Sequence, residues 1–310
     1  MRCLVTGASG FVGAWLVRDL AEAGHAVIAQ MRARPSALFG RLGLADHPSV
    51  RVLENAAIPE IVSTEAPDEL YHLAGMSQIV EAMEAPARVF EANARLTWQM
   101  LDALRRMDAP PRCVIASSDS IYGETGGRAA CEEDPARALG PYEISKAMAD
   151  MAARSHAALF GLPIVVARLG NVYGPGDHNT ARLIPSIIGA ICRGGVPHLR
   201  GGGKAVRSLL HVRDCTAALR LLAANAGREG IGGEAFNVSG APAMSTLEIA
   251  RLALAAFGKG DLEPEISAGA PGETSVKVSS AEKIGRALGW RPQRSLEAGL
   301  SEIRAWMEAG

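Results

Sequence analysis

Short apolar runs alternate with longer stretches of helical periodicity through the first half of the chain. Cys3-Leu4-Val5, Ala26-Val27-Ile28-Ala29, Val50-Arg51-Val52-Leu53, Leu70-Tyr71-His72-Leu73, Cys113-Val114-Ile115-Ala116 and Ile164-Val165-Val166-Ala167 read as strands. Runs this short and this apolar belong to a parallel sheet covered on both faces. Between them, Ala14 to Ala23 reads as a helix ended by Gly24, glycine being the commonest residue just past a helix. A longer helix starts near Pro86 and carries Val89, Asn93, Leu96, Met100 and Leu104 on one stripe. Another runs from about Pro141 through an alanine-rich stretch to Gly161. Strands and helices in alternation predict an α/β fold.

From about Asn171 the pattern breaks. Gly174-Pro175-Gly176, Gly194-Gly195 and Gly201-Gly202-Gly203 interrupt it, with short helices at Cys215–Ala224 and Thr246–Phe257. The expectation is a sheet domain over 1–170 and a smaller, loop-rich C-terminal lobe over 171–310, with chain crossovers between them. Composition adds little: 48% of the 310 residues are hydrophobic and 21% charged, as in ordinary globular proteins. A net charge of -1 gives no reason to expect nucleic acid or an anionic membrane as partner, and no apolar run approaches the roughly 18 residues of a membrane span. Cysteines 3, 113, 131, 192 and 215 are odd in number and scattered, with neither a disulfide framework nor metal-ligand spacing. Met1-Arg2 lead straight into a strand, leaving no room for a signal peptide, so a cytoplasmic enzyme is expected.

The first strand runs into Gly7-Ala8-Ser9-Gly10-Phe11-Val12-Gly13 and then a helix. Strand, glycine triplet and helix in that order predict a Rossmann-type doubly wound parallel sheet that binds a dinucleotide. Gly7 allows the tight turn, Gly10 lets backbone amides approach a pyrophosphate, and Gly13 lets helix and strand pack closely. The helix N-terminus adds free N–H groups and positive dipole. After the second strand, an acid would bind the ribose 2′-hydroxyl of NAD and repel the 2′-phosphate of NADP. The chain has no acid there, only Gln30-Met31-Arg32-Ala33-Arg34. NADP is therefore favoured, with NAD as the alternative and solvated loop charges as the plainer reading of Arg32 and Arg34.

Tyr142 and Lys146 lie four apart at the start of a predicted helix and so share a face. A free phenol has a pKa of about 10 and is a poor base near neutrality; an ammonium nearby favours the phenolate. Tyr142 is then able to take the proton of a carbinol as hydride leaves the same carbon, with Ser118 holding that oxygen. His72, His178 and His211 read as structural rather than as bases.

In order and spacing, these motifs resemble the extended short-chain dehydrogenase/reductase family, in its nucleotide-sugar epimerase/dehydratase branch. They are Thr6 to Gly13, His72-Leu73-Ala74-Gly75, Ser117-Ser118-Asp119-Ser120-Ile121-Tyr122-Gly123, Pro141-Tyr142-Glu143-Ile144-Ser145-Lys146, Arg168 to Gly176, Arg207 to Asp214, and Leu288-Gly289-Trp290-Arg291-Pro292. The resemblance implies an NAD(P)-dependent enzyme acting on a nucleoside-diphosphate sugar, with the C-terminal lobe binding the substrate. It places Gly7, Ser9, Gly10, Phe11, Val12, Gly13, Leu73 and Ala74 on the cofactor, with Lys146 also reaching the nicotinamide ribose, and Ser77, Asn171, Arg182 and Arg207 on the substrate. It also implies a homodimer joined through the helices around 89–104 and 142–160, the second rich in small residues (Ala147, Ala149, Ala152, Ala153, Ala157) that either permit close approach or pack on their own sheet.

Two positions depart from the branch. Ala56 stands where relatives carry an acid that touches adenine, and Ala270-Pro271-Gly272-Glu273 lacks the arginine of an Arg-Pro-Gly-Glu pattern, so a second diphosphate cation has to come from elsewhere, with Arg182 and Lys277 the candidates. The reaction stays open. A 4,6-dehydratase needs an acid and a base beside the catalytic serine; Asp119 serves as the acid, but Ser120 stands where Glu or Lys is expected, although the stretch from Arg168 to Pro185 resembles cytidine-linked dehydratases. A 4-ketoreductase or 4-epimerase needs no such pair and is the favoured reading. A cofactor-binding sensor without activity is the distant alternative, disfavoured by the intact Tyr142, Lys146 and Ser118.

Overall fold

In a computed structural model, described for residues 1–137, 139–240, 242–268 and 276–309, seven parallel strands form the central sheet. They are β1 (Arg2–Thr6), β2 (Ala26–Met31), β3 (Val50–Glu54), β4 (Glu69–His72), β5 (Arg112–Ser118), β6 (Ile164–Leu169) and, after a long excursion, β10 (Ala235–Val238). Their order is β10-β6-β5-β4-β1-β2-β3. Strand order reverses at β1, whose neighbours are β2 and β4, and such a reversal opens a crevice at the strand C-termini where ligands bind. All six strands expected from the apolar runs are present, offset by a residue or two at their ends.

The sheet is covered on both faces, as its apolar strands require. One face packs Phe11–Glu22 and Val212–Asn225, burying Trp15, Leu16, Leu20, Cys215, Leu219 and Leu222. The other packs Ile58–Glu65, Leu96–Leu104 and Pro141–Phe160, burying Ile61, Met100, Leu104, Ala153 and Ala157. The first helix starts at Phe11 rather than Ala14, because Gly10 is extended and supplies the cap position. The helix expected from Pro86 is interrupted: Pro86–Phe90 leads through a π-turn, Glu91–Arg95, into Leu96–Leu104. One widened turn inside an α-helix is a recurrent device at functional sites.

The smaller lobe has its own core, with Ile184, Ile187, Ile191, Ile249, Leu254, Leu300 and Ile303 on the helices Leu183–Cys192, Thr246–Ala256 and Leu296–Glu308. Short strands β7 (Asn171–Tyr173), β9 (Val206–His211), β11 (Ala243–Ser245) and β13 (Val276–Lys277) form a second sheet, and β8 (His198–Leu199) pairs with β12 (Glu265–Ile266). The described residues after Leu169 thus hold this second core and also return β10 and the helix Val212–Asn225 to the central sheet.

Several motif residues tie elements together. Arg168 on β6 is buried and makes two hydrogen bonds to Asp150, at 2.8 and 3.1 Å, and a third to the Tyr122 hydroxyl at 2.8 Å. That hydroxyl donates to Asn237 Oδ1 on β10 at 2.7 Å. Asp214 accepts the Gln293 and Arg294 backbone N–H groups and pairs with the Arg294 side chain at 2.7 Å, anchoring the segment after Gly289-Trp290-Arg291-Pro292. Trp15 Nε1 donates to Pro175 O at 3.0 Å, joining the first helix to the Gly174-Pro175-Gly176 turn.

Candidate active site

A cavity of about 1290 Å³ opens at the strand C-termini between the sheet and the lobe. The glycine loop forms its floor. Gly7 has φ +70°, and a Cβ there would stand 2.8 Å from the Ala74 backbone; a Cβ on Gly13 would collide with Gly7 O. Gly10 N–H donates to Gly7 O at 3.0 Å, so the loop is a tight turn over which a pyrophosphate can approach backbone. This cradle, which side chains would fill, fits a dinucleotide. Gln30, overlooked in the sequence, braces it: its Oε1 accepts from Gly7 N–H at 3.4 Å and its Nε2 donates to Ala56 O at 3.2 Å.

Ser9, Phe11, Val12, Leu73, Ala74 and Arg32 line the same cavity. Arg34 does not; it is exposed on the loop beyond. His72 is buried under the loop, its Nδ1 2.9 Å from Thr6 Oγ1 and its Nε2 3.2 Å from Thr97 Oγ1. Thr97 donates to Asn93 O, and Thr6 Oγ1 accepts from Ala74 N–H. Two hydroxyls therefore saturate a neutral ring, whose pKa burial lowers to about 3. His211 caps the helix Val212–Asn225, its Nδ1 accepting from Arg213 N–H at 3.3 Å, and is likewise buried and held to about 4. His178 is exposed and does not line the cavity.

Ser118, Asp119, Tyr142 and Lys146 converge on the cavity wall from β5 and the helix Pro141–Phe160. All four are buried or nearly so. Burial pushes the Tyr142 phenol above its ordinary range; the Ser118 hydrogen bond and the Arg182 guanidinium pull it partly back, while Asp119 pushes it further up. Lys146 Nζ donates to Ala116 O at 2.9 Å, and burial lowers its pKa to about 8. The groups holding the phenol down here are Ser118 and Arg182, where sequence reasoning assigned that work to Lys146. Asn93, on the π-turn, clamps the loop after β4: its Oδ1 accepts from Met76 N–H at 2.8 Å, and its Nδ2 donates to Met76 O and to Ser145 Oγ, which donates to Tyr142 O. Read only as an apolar-stripe position in the sequence, Asn93 was recognisable as the one polar residue on that stripe.

Opposite lie the residues expected to meet substrate. Ser77, Asn171, Arg182 and Arg207 all line the cavity. Asn171 Nδ2 and Ser117 Oγ are buried without a hydrogen-bond partner among the described residues, which suits polar groups awaiting a ligand. Arg182 pairs with Asp177 at 3.3 Å. Ala56 lines the cavity and offers only its carbonyl, already engaged by Gln30. Ala270 to Glu273 fall outside the described residues. Lys277 is on the wall: its Nζ donates to Ser120 Oγ at 2.5 Å and stands 3.9 Å from Asp119 Oδ1. Burial raises the Asp119 carboxyl above the usual range, with Lys277 and Arg207 opposing.

Comparison with known proteins agrees with this geometry. The model of the NAD dependent epimerase/dehydratase family matches residues 3–239. A dTDP-4-dehydro-6-deoxy-D-allose reductase of Streptomyces bikiniensis is 31% identical, over 98% of this chain and 95% of its own. The dTDP-glucose 4,6-dehydratase 1 of Escherichia coli is 30% identical, over 99% and 92%. Among solved structures, DesIV, a dTDP-glucose 4,6-dehydratase of Streptomyces venezuelae with NAD and TYD bound, superposes with a TM-score of 0.87 at 28% identity, over 100% of this chain and 98% of its own. The chain belongs to the NAD dependent epimerase/dehydratase family, within the extended short-chain dehydrogenases/reductases.

Proposed function

We propose that the protein exchanges hydride with C4 of the hexose in a nucleoside-diphosphate sugar, Tyr142 being the acid/base. The observation that carries this is the convergence of Tyr142, Ser118 and Lys146 on the cavity that the glycine loop floors. A nicotinamide dinucleotide, held by Gly7 to Gly13, Leu73 and Ala74, would supply hydride removal or return and a positive ring. The protein's part is proton and position. Ser118 holds the carbinol oxygen in line with Tyr142, Tyr142 takes or returns its proton, and the Lys146 ammonium keeps local charge positive while it stays protonated. Arg207, Arg182 and Asn171 receive the diphosphate from the lobe side, where paired guanidinium donors suit phosphate oxygens. The favoured outcome is a 4-ketoreductase or 4-epimerase, which asks nothing beyond this set.

A specific observation favours a second reading, a 4,6-dehydratase: Asp119 is buried on the cavity wall beside Ser118 with its carboxyl biased toward the protonated form, as an acid for a leaving hydroxyl must be. NADP is proposed over NAD, because Arg32 lines the cavity just past β2 and no acid stands there; Arg34 supports it less, being off the wall. A homodimer is proposed from exposed Ile144, Met148, Met151 and Leu159 on one helix, with Trp98 on its neighbour. The test of the main reading is turnover of a panel of nucleotide sugars and their 4-keto forms by the wild type and by Tyr142→Phe. Loss of turnover by orders of magnitude with unchanged dinucleotide affinity is expected; near-normal turnover in the variant removes Tyr142 from the acid/base role.

A further inference from the structure

Elimination of water from a 4-ketohexose needs two proton-handling groups on the wall next to the carbinol site. Asp119 is one. The next residue, Ser120, is a weak base on its own. The sugar side of the wall nevertheless carries an amine, brought by a strand from the far end of the sequence. β13 runs parallel to β9, with Lys277 opposite Arg207. From there the Lys277 side chain crosses to the turn after β5, ends on Ser120 Oγ at 2.5 Å and stands 3.9 Å from Asp119 Oδ1. Ser120 Oγ is in turn 3.0 Å from Ser118 Oγ, the group set to hold the carbinol oxygen. Lys277 is therefore joined through Ser120 to the serine at the carbinol site. Both side chains line the cavity, Lys277 the more open of the two (25% exposed against 6% for Asp119).

We propose that Lys277 is the base of a Lys277–Asp119 pair that removes the C5 proton of a 4-keto nucleotide hexose, in place of a side chain at position 120. The inference rests on the 4,6-dehydratase reading. The step starts from the form of the pair in which the shared proton is on Asp119 and the Lys277 nitrogen carries a lone pair. Lys277 takes the proton from C5, and the C5–H electron pair moves into the C4 carbonyl as an enolate. The enolate re-forms the ketone, its electrons make the C5–C6 double bond, and the C6–O bond breaks. Asp119 gives its proton to the departing oxygen. The products are a 4-keto-5,6-ene and one water, with Lys277 an ammonium and Asp119 a carboxylate, so charge and atoms balance.

The proton step can be isolated from hydride transfer. A 4-keto-6-deoxyhexose carried on thymidine, uridine, cytidine or guanosine diphosphate is incubated with the protein in deuterium oxide, and loss of the C5 proton signal is followed by NMR. The wild type is expected to exchange C5 well above the buffer background. Lys277→Met and Lys277→Arg are expected to lose about 10²–10⁴-fold in C5 exchange, the usual worth of a general base, with unchanged melting temperature. Arginine is the decisive variant, since it is long and polar like lysine but holds its proton and cannot act as a base. Exchange by Lys277→Arg within about threefold of wild type overturns the proposal and leaves the dehydratase reading standing. Absence of exchange in the wild type overturns both, while C4 hydride transfer by that same protein would keep the reductase or epimerase reading intact.

Discussion

Tyr142 sits in a site where burial works against its job. Desolvation raises the phenol, and the Ser118 hydrogen bond and the Arg182 guanidinium oppose it. Ser118→Ala is therefore expected to lower kcat about 10²–10³-fold with little change in KM for the dinucleotide, since it removes both the alignment of the carbinol and a donor to the phenolate. Steady-state kinetics with saturating dinucleotide checks this. Lys146 gives a sign for pH dependence. Its pKa is lowered to about 8, so the ammonium is present below that pH and lost above it. Activity is expected to fall on the alkaline side near pH 8, and Lys146→Arg, charged throughout, is expected to lack that limb. A wild-type profile flat to pH 10 contradicts the assignment. At the cofactor end, Arg32→Glu is expected to raise KM for NADPH by about tenfold or more and to spare NADH, as loss of a charge-assisted phosphate contact should; equal effects on both dinucleotides contradict the NADP reading.

Between elements, some motif residues that mark the family in sequence do structural work. Arg168, Asp150, Tyr122 and Asn237 fasten β6, the helix Pro141–Phe160, the turn after β5 and β10 in one buried network. Arg168→Met strands Asp150 as an unpaired buried charge, and about 3–5 kcal/mol of stability is expected to go with it. Urea unfolding measures this, and a loss under about 1 kcal/mol contradicts it. The strands and the glycine loop were legible because each is local: an apolar run, a φ > 0 position, a cap. The π-turn at Glu91–Arg95 was not, because its cause is tertiary. Asn93 reaches the backbone of Met76 and the Ser145 hydroxyl, and no periodicity announces such partners. Lys277 was named in the sequence only as a candidate diphosphate cation, and its place beside Ser120 was illegible for the same reason. It is 157 positions from Ser120 and touches it only because β13 lies along β9.

At the scale of the molecule, two layers of helices close a parallel sheet, and the lobe folds over the end where strand order reverses. That end was predictable from topology alone; which lobe residues meet substrate was not, although Asn171, Arg182 and Arg207 were named through family resemblance and all line the cavity. Three alanines of the helix Pro141–Phe160 turn inward: Ala149, Ala153 and Ala157 are buried in the chain's own core. What remains outward is apolar and larger, Ile144, Met148, Met151 and Leu159, at spacings that share one face. A stripe of that kind marks an interaction surface, and Met148→Glu/Met151→Glu is expected to turn the proposed dimer into a monomer by sedimentation; a monomeric wild type at micromolar concentration contradicts the pairing. The most direct test of the central claim is label transfer. A 4-keto nucleotide hexose is reduced with dinucleotide carrying deuterium at the transferable position, and the product is read by NMR and mass spectrometry. Deuterium at C4 of the sugar with the wild type, and none with Tyr142→Phe, is the predicted result. Label at any other carbon, no label from any nucleotide sugar tried, or undiminished transfer by Tyr142→Phe would contradict it.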